Sequence, residues 1–178
     1  MRRLAAAMLA GAALAGAVSL AAGAGPVAGG EERTAEFVRE TCLAALDDPA
    51  NLERIAEARD WPRFIDRSSA QPSFMTVIGT WRATADDDSM LISVATSVSG
   101  GRPQTICTIV FEDTPPSRAG FLRALTNGWR LDTIIDSSSP QLRNEMYAVR
   151  PPQAADMTLQ ISSTGDGGVM STTLLATK

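Results

Sequence analysis

There is no histidine anywhere in this 178-residue chain. That absence removes Ser-His-Asp and Cys-His nucleophilic catalysis, His-ligated zinc and any switch through imidazole protonation. Lysine is almost as scarce, since 15 of the 16 basic residues are arginine and only Lys178 is lysine. An exposed ammonium keeps its ordinary pKa and makes a poor general base, so serine-lysine catalysis is set aside as well. The serines at Ser97, Ser99, Ser137, Ser138 and Ser139 lack both the G-x-S-x-G elbow and the S-x-x-K spacing, and read as strand-edge and loop residues. No ligand or cofactor motif appears, and no cofactor is expected. Positive charge is also short: the formal net charge is −4. Nucleic acid and anionic membrane surfaces both need clustered cations, so neither is expected as a partner.

Long hydrophobic runs are missing too, apart from the one at the N-terminus. Arg2 and Arg3 form a positive start, residues 4–22 an Ala/Leu-rich apolar stretch, and Ala22-Gly23-Ala24 an A-x-A cleavage site. Residues 1–24 therefore read as an export signal cleaved after Ala24. An uncleaved anchor is the competing reading, because about 19 apolar residues just span a bilayer. Alanine and glycine are only weakly favourable in hydrocarbon, which favours cleavage and no stable membrane insertion afterwards. No cysteine lies near the cleavage site to carry lipid, and Arg2-Arg3 lacks the longer twin-arginine context. Cleavage leaves 154 residues carrying a net charge of −6, enough for one domain with a real core. The expected organisation is a signal peptide over 1–24, a flexible lead-in over 25–30 and a single α+β domain over 31–178, periplasmic or secreted.

Two cysteines in an exported chain, Cys42 and Cys107, are most simply one disulfide. They are not arranged as C-x-x-C and are too few for a metal site, so the bond is expected to be structural. The long loop it closes implies a stabilisation of roughly 4 kcal/mol, before any native strain is subtracted.

The apolar pattern changes period along the chain. Over 31–46 an acidic first turn suits the helix dipole, and Ala35, Val38, Cys42, Ala45 and Leu46 recur on one helical face. Asp48-Pro49 is an N-cap followed by proline at the first helical position, and Leu52, Ile55 and Ala56 continue a second helix as far as Trp61-Pro62. Residues 74–85, 90–98 and 104–112 read as a three-stranded meander, with Asp86-Asp87-Asp88-Ser89 turning the first hairpin. Thr114-Pro115-Pro116-Ser117 opens a further helix that Asn127-Gly128 stops with left-handed geometry. Four more strand-like runs follow at 129–135, 141–149, 157–163 and 169–177, the last two joined by a Gly-rich turn. The expected fold is α+β: an N-terminal helical hairpin and a further helix packed on a mainly antiparallel sheet of about six or seven strands, clamped by Cys42 and Cys107.

Two segments are candidates for chemistry. Asp86, Asp87 and Asp88 offer hard oxygen donors on a turn and are a weak candidate for a Ca²⁺ site, although no EF-hand loop surrounds them. A solvated turn explains them as well. A glycosidase needs two carboxyls several ångströms apart across a groove, which neighbours on a turn do not provide. The second segment interleaves Arg59, Arg63 and Arg67 with Trp61 and Phe64, and Trp and Arg are frequent interface anchors. Its bland reading is that Trp61 and Phe64 cover the end of the helical hairpin while the arginines pair with carboxylates or water.

An export segment, a helix bearing Phe37-Val38-Arg39-Glu40-Thr41-Cys42, the following Trp61 and a strand bearing Cys107 together resemble small uncharacterised exported proteins of Gram-negative bacteria. The resemblance implies compartment and architecture, and carries over no functional residue. The functional expectation is a non-catalytic exported binding protein, an envelope inhibitor or accessory factor, whose partner is an envelope protein or a small ligand. A carboxylate-based hydrolase, with or without Ca²⁺, and a small-molecule carrier are the alternatives.

Overall fold

The computed structural model describes residues 30–65, 75–85, 88–150 and 157–177. The N-terminal stretch read as an export signal, residues 25–29 of the expected lead-in, Arg67, Asp86 and Asp87 lie outside the described residues.

Helix α1 (Gly30–Asp47) carries Glu31 and Glu32 in its first turn and buries Ala35, Val38, Cys42, Ala45 and Leu46, with Phe37 and Thr41 alongside. Asp48 caps α2 (Pro49–Ala58), its carboxylate accepting from the Ala50 amide at 3.0 Å. The second helix ends before Trp61-Pro62. Asp60 takes up φ 52°, Trp61 N–H donates to Ala56 O at 2.9 Å and Asp60 N–H to Glu57 O at 3.2 Å. These are the paired bonds of a Schellman ending, built here on aspartate rather than glycine. The reversal folds Trp61 inward to 9% exposure against Phe37, with ring centroids 5.7 Å apart.

The sheet has eight strands, one more than the upper expectation: β1 (Arg63–Ile65), β2 (Met75–Ala85), β3 (Asp88–Ser99), β4 (Arg102–Phe111), then α3 (Arg118–Thr126), β5 (Arg130–Ser138), β6 (Leu142–Arg150), β7 (Met157–Thr164) and β8 (Val169–Thr177). The extra strand is β1, only three residues long. It is too short to show a period in sequence, and pairing to β2 alone creates it. Helix α3 also leaves differently from the expected left-handed stop. Asn127 stays right-handed at φ −65°, and the Gly128 and Trp129 amides both close on Leu125 O, at 3.2 and 3.0 Å. The tightened turn drops Trp129 into the core at 5% exposure.

Strand order is β1-β2-β3-β4-β8-β7-β6-β5, with every neighbouring pair antiparallel. Two four-stranded meanders, each preceded by helix, thus meet along the β4–β8 seam. One register row runs Gly79, Val94, Cys107, Leu174, Leu159 and Tyr147 on the face that carries the helices. Gly79 is required there because an added Cβ would meet the Trp81 indole at 2.5 Å. Cys107 bonds Cys42 of α1, with an S–S distance of 2.04 Å and Cα atoms 5.5 Å apart, so the disulfide fastens α1 to the middle of the sheet. The opposite face is rich in hydroxyls. Thr80, Ser93, Thr108, Thr173 and Gln160 form a transverse row, with Thr80–Ser93 at 2.8 Å and Thr108–Thr173 at 3.1 Å.

Candidate functional site

Three loops converge at one end of the helix-bearing face. The segment entering α3 bridges to the β7–β8 turn: Arg118 N–H donates to Gly167 O at 2.8 Å and Val169 N–H to Pro116 O at 2.9 Å. That turn in turn packs on the β5–β6 connection, where Gly165 N–H donates to Gln141 O at 3.0 Å. A Cβ at Gly165 would lie 2.1 Å from Pro140 O, so only glycine allows the two turns to approach this closely. Between them opens a cleft of about 490 Å³ walled by Arg118, Arg143, Ser163, Thr164 and Asp166.

Beside this cleft lies an ionic cluster built round one buried carboxylate, Glu145. Alternation along β6 puts Arg143, Glu145, Tyr147 and Val149 on the core side. Glu145 is 3% exposed and receives both Nε and Nη2 of Arg118 on its two oxygens, a fork-to-fork pair. Tyr147 donates its hydroxyl to Glu145 Oε1 at 2.9 Å, and Arg143 Nη2 bridges Glu145 at 3.2 Å and Asp136 at 2.5 Å. Burial opposes the Glu145 charge, but the hydrogen bonds from Arg118 and Tyr147 and the charges of Arg118 and Arg143 outweigh it and hold the carboxyl below its ordinary 4.5. Burial, and then the hydrogen bond to Glu145, push the Tyr147 phenol up to about 12. Two groups at the cleft wall have no such partner: Arg143 Nε and Ser163 Oγ are buried without any hydrogen bond.

The segment singled out in sequence is arranged differently. Trp61 is buried, Arg59 stands over the Phe37 and Trp61 rings at 5.9 and 5.4 Å, and Arg63 stands over Trp81 at 5.3 Å. Arg63 also pairs with Glu53 at 3.0 Å and donates to Ile78 O at 3.1 Å. Phe64 does not cover the hairpin: it is 56% exposed, with the Arg82 guanidinium 5.5 Å above its ring. The groove beside Trp61 and Trp81 is rimmed by Glu53, Glu57, Asp60 and Arg63, an acidic border on an aromatic floor. Of the aspartate cluster, Asp88 opens β3, pairs with Ala85 across the hairpin and lines a separate cleft of about 340 Å³ with Glu36, Glu40 and Arg59. Among the described residues no three His, Cys, Asp or Glu side chains come together closely enough to hold a metal.

Arg118, Arg143, Glu145, Tyr147 and Ser163 were not singled out in sequence, yet a signal was there. A period of two through Arg143, Glu145, Tyr147 and Val149 places an arginine and a glutamate on the same face as valine, and charges on a core face need partners. The partner of Glu145, at the start of a helix 27 residues upstream, is a product of the topology. Comparison with protein-family models, curated proteins and solved structures finds no match for the chain.

Proposed function

We propose that this chain is a non-catalytic binding protein, exported by cleavage after Ala24 to the periplasm or beyond. One observation carries the reading. The Glu145 carboxylate is fully engaged, each oxygen held by Arg118 and one also by Tyr147, and the two titrating groups are displaced away from neutrality, the carboxyl downward and the Tyr147 phenol up to about 12. A general acid or base working near neutral pH needs a pKa near that pH, and neither group supplies one. Such a cluster suits a rigid wall for recognition. The disulfide fits an oxidising compartment, and no described helix is long and apolar enough to cross a membrane. Intact-mass analysis of the protein recovered from the producing cell's envelope fraction tests both parts. A chain beginning at Gly25, with a ligand retained under native conditions and released chemically unchanged, supports the reading. Release of a converted product, abolished by Glu145→Gln, overturns it.

A carboxylate-based hydrolase is the second reading, favoured by Asp88 sharing its cleft with Glu36 and Glu40. It expects hydrolysis of a glycoside or ester panel that Asp88→Asn abolishes; a wild-type chain inert on that panel removes it.

A further inference from the structure

We propose that the open face of the sheet, turned away from the helices, is where a second copy of this chain packs, sheet against sheet. The dimer needs neither the cleavage nor the ligand of the binding reading. Three successive register rows cross β3, β4, β8, β7 and β6 on this face, beginning at Leu91, Ser93 and Ala95 and ending at Asn144, Met146 and Ala148. None of their side chains carries a charge, in a chain of which 20% is Asp, Glu, Lys or Arg. All but Ala95 are partly or fully open to solvent, and the middle row continues onto β5 with Ile135 at 51% exposure. The charges stand at the border, where Arg82 is matched with Glu112 on one side and Arg130 with Asp132 on the other. An uncharged centre inside a polar rim is the composition of a protein interface.

The polar groups of this face are already paired with one another. The Thr80 and Ser93 hydroxyls bond at 2.8 Å, those of Thr108 and Thr173 at 3.1 Å, and the Ser162 hydroxyl donates to Asn144 Oδ1 at 2.7 Å. Hydroxyls paired along the sheet lose little when water leaves, and they offer few free bonds to a sugar. No aromatic ring stands in the three rows for a sugar to stack on, and a charged polymer finds no counter-charge there. What fits is another uncharged, partly apolar β face, and this chain carries one. Twofold symmetry sets the face against itself, so the net charge of −4 stays out of the contact and the rim meets the partner as neutral pairs. The size is sufficient. With strands about 4.8 Å apart and same-face rows about 7 Å apart, five strands by three rows cover roughly 500 Å². Two copies bury on the order of 1,000 Å² between them, the area at which specific interfaces begin, before Val77, Thr80 and Ile135 at the flanks are added.

Sedimentation velocity of the oxidised protein over a concentration series tests the proposal, with Gln160→Glu and Val98→Glu alongside. The wild type should sediment as a dimer that dissociates on dilution. Gln160 lies exposed in the middle row, so Gln160→Glu keeps the side chain's shape while setting like charges into the contact, and should weaken the dimer at least about tenfold. Val98, 62% exposed, points to the opposite side of β3, and Val98→Glu should dimerise as the wild type does. Hydroxyl-radical footprinting should find Met146 and Leu175 protected at dimer concentration and modified on dilution. A wild type that stays monomeric at about 100 μM overturns the proposal, as does a dimer that Gln160→Glu leaves intact or one in which Met146 and Leu175 gain no protection. Retention of an unlike protein by the monomer would assign the face to that partner and overturn the second copy.

Discussion

At the residue scale, Glu145 shows how a charge is kept in a core. Its burial is offset by two bonds from Arg118 and one from Tyr147, and Arg143 adds a fourth contact. Removing one partner of such a pair leaves the other charge uncompensated, so Glu145→Gln is expected to cost about 3 kcal/mol at neutral pH, near the lower end for buried pairs because Arg118 still reaches water. The sign with pH follows from the depressed carboxyl. Its contribution is complete above the ordinary 4.5 and is lost as the pH falls through the lower value held in the folded chain. Urea unfolding at neutral and acidic pH should show the wild type losing more stability on acidification than Glu145→Gln; parallel losses would remove Glu145 as the source.

At the element scale, helices and sheet are joined by a few contacts of long reach. Arg39 of α1 donates to Ala124 O in α3 at 2.9 Å, and the Ser117 hydroxyl that caps α3 donates to Glu31 at 3.1 Å. The Cys42–Cys107 bond closes a loop with a sequence separation of 65, for which chain entropy gives about 4 kcal/mol. Replacing both cysteines with alanine should lower the urea-derived stability by about that amount, and removal of two fully buried sulfurs adds to the loss. An unchanged midpoint would show that α1 is held by its apolar face alone. The helices and the longer strands were legible because their apolar residues keep a period over many positions. Residues 31–46 and 157–163 illustrate this against α1 and β7. Strand β1 and the Asp60 reversal were not legible, because each depends on a partner far away in the chain or on a left-handed residue that is not glycine.

At the scale of the whole molecule, the two meanders share one seam, and the central strands on either side of it carry fully buried residues. Cys107, Ile109, Leu159 and Leu174 are fully buried, whereas the edge strand β5 leaves Ile134 and Ile135 more than half exposed. Hydrogen exchange should therefore run last at the amides of β4 and β8, through global unfolding, and earlier in β1 and β5. Protection of β5 equal to that of β4 would show that another strand covers this edge. The bulge between Thr133 and Ile135 is the kind of irregularity that keeps an open edge from templating a neighbour.

Composition by itself excluded imidazole chemistry, and the spacing of apolar residues determined which of the longer segments are helix and which are strand, since both depend only on local residue type and period. The two cysteines were enough to anticipate a staple between the first helix and the sheet, because a chain with two thiols has one internal pairing. Only the tertiary structure decided the strand order, with β4 against β8, and with it the site. Arg118 precedes Glu145 by 27 residues, and Ser163 lies on yet another strand. Their meeting depends on how two meanders join and on Gly165 letting two turns touch, which no local pattern encodes.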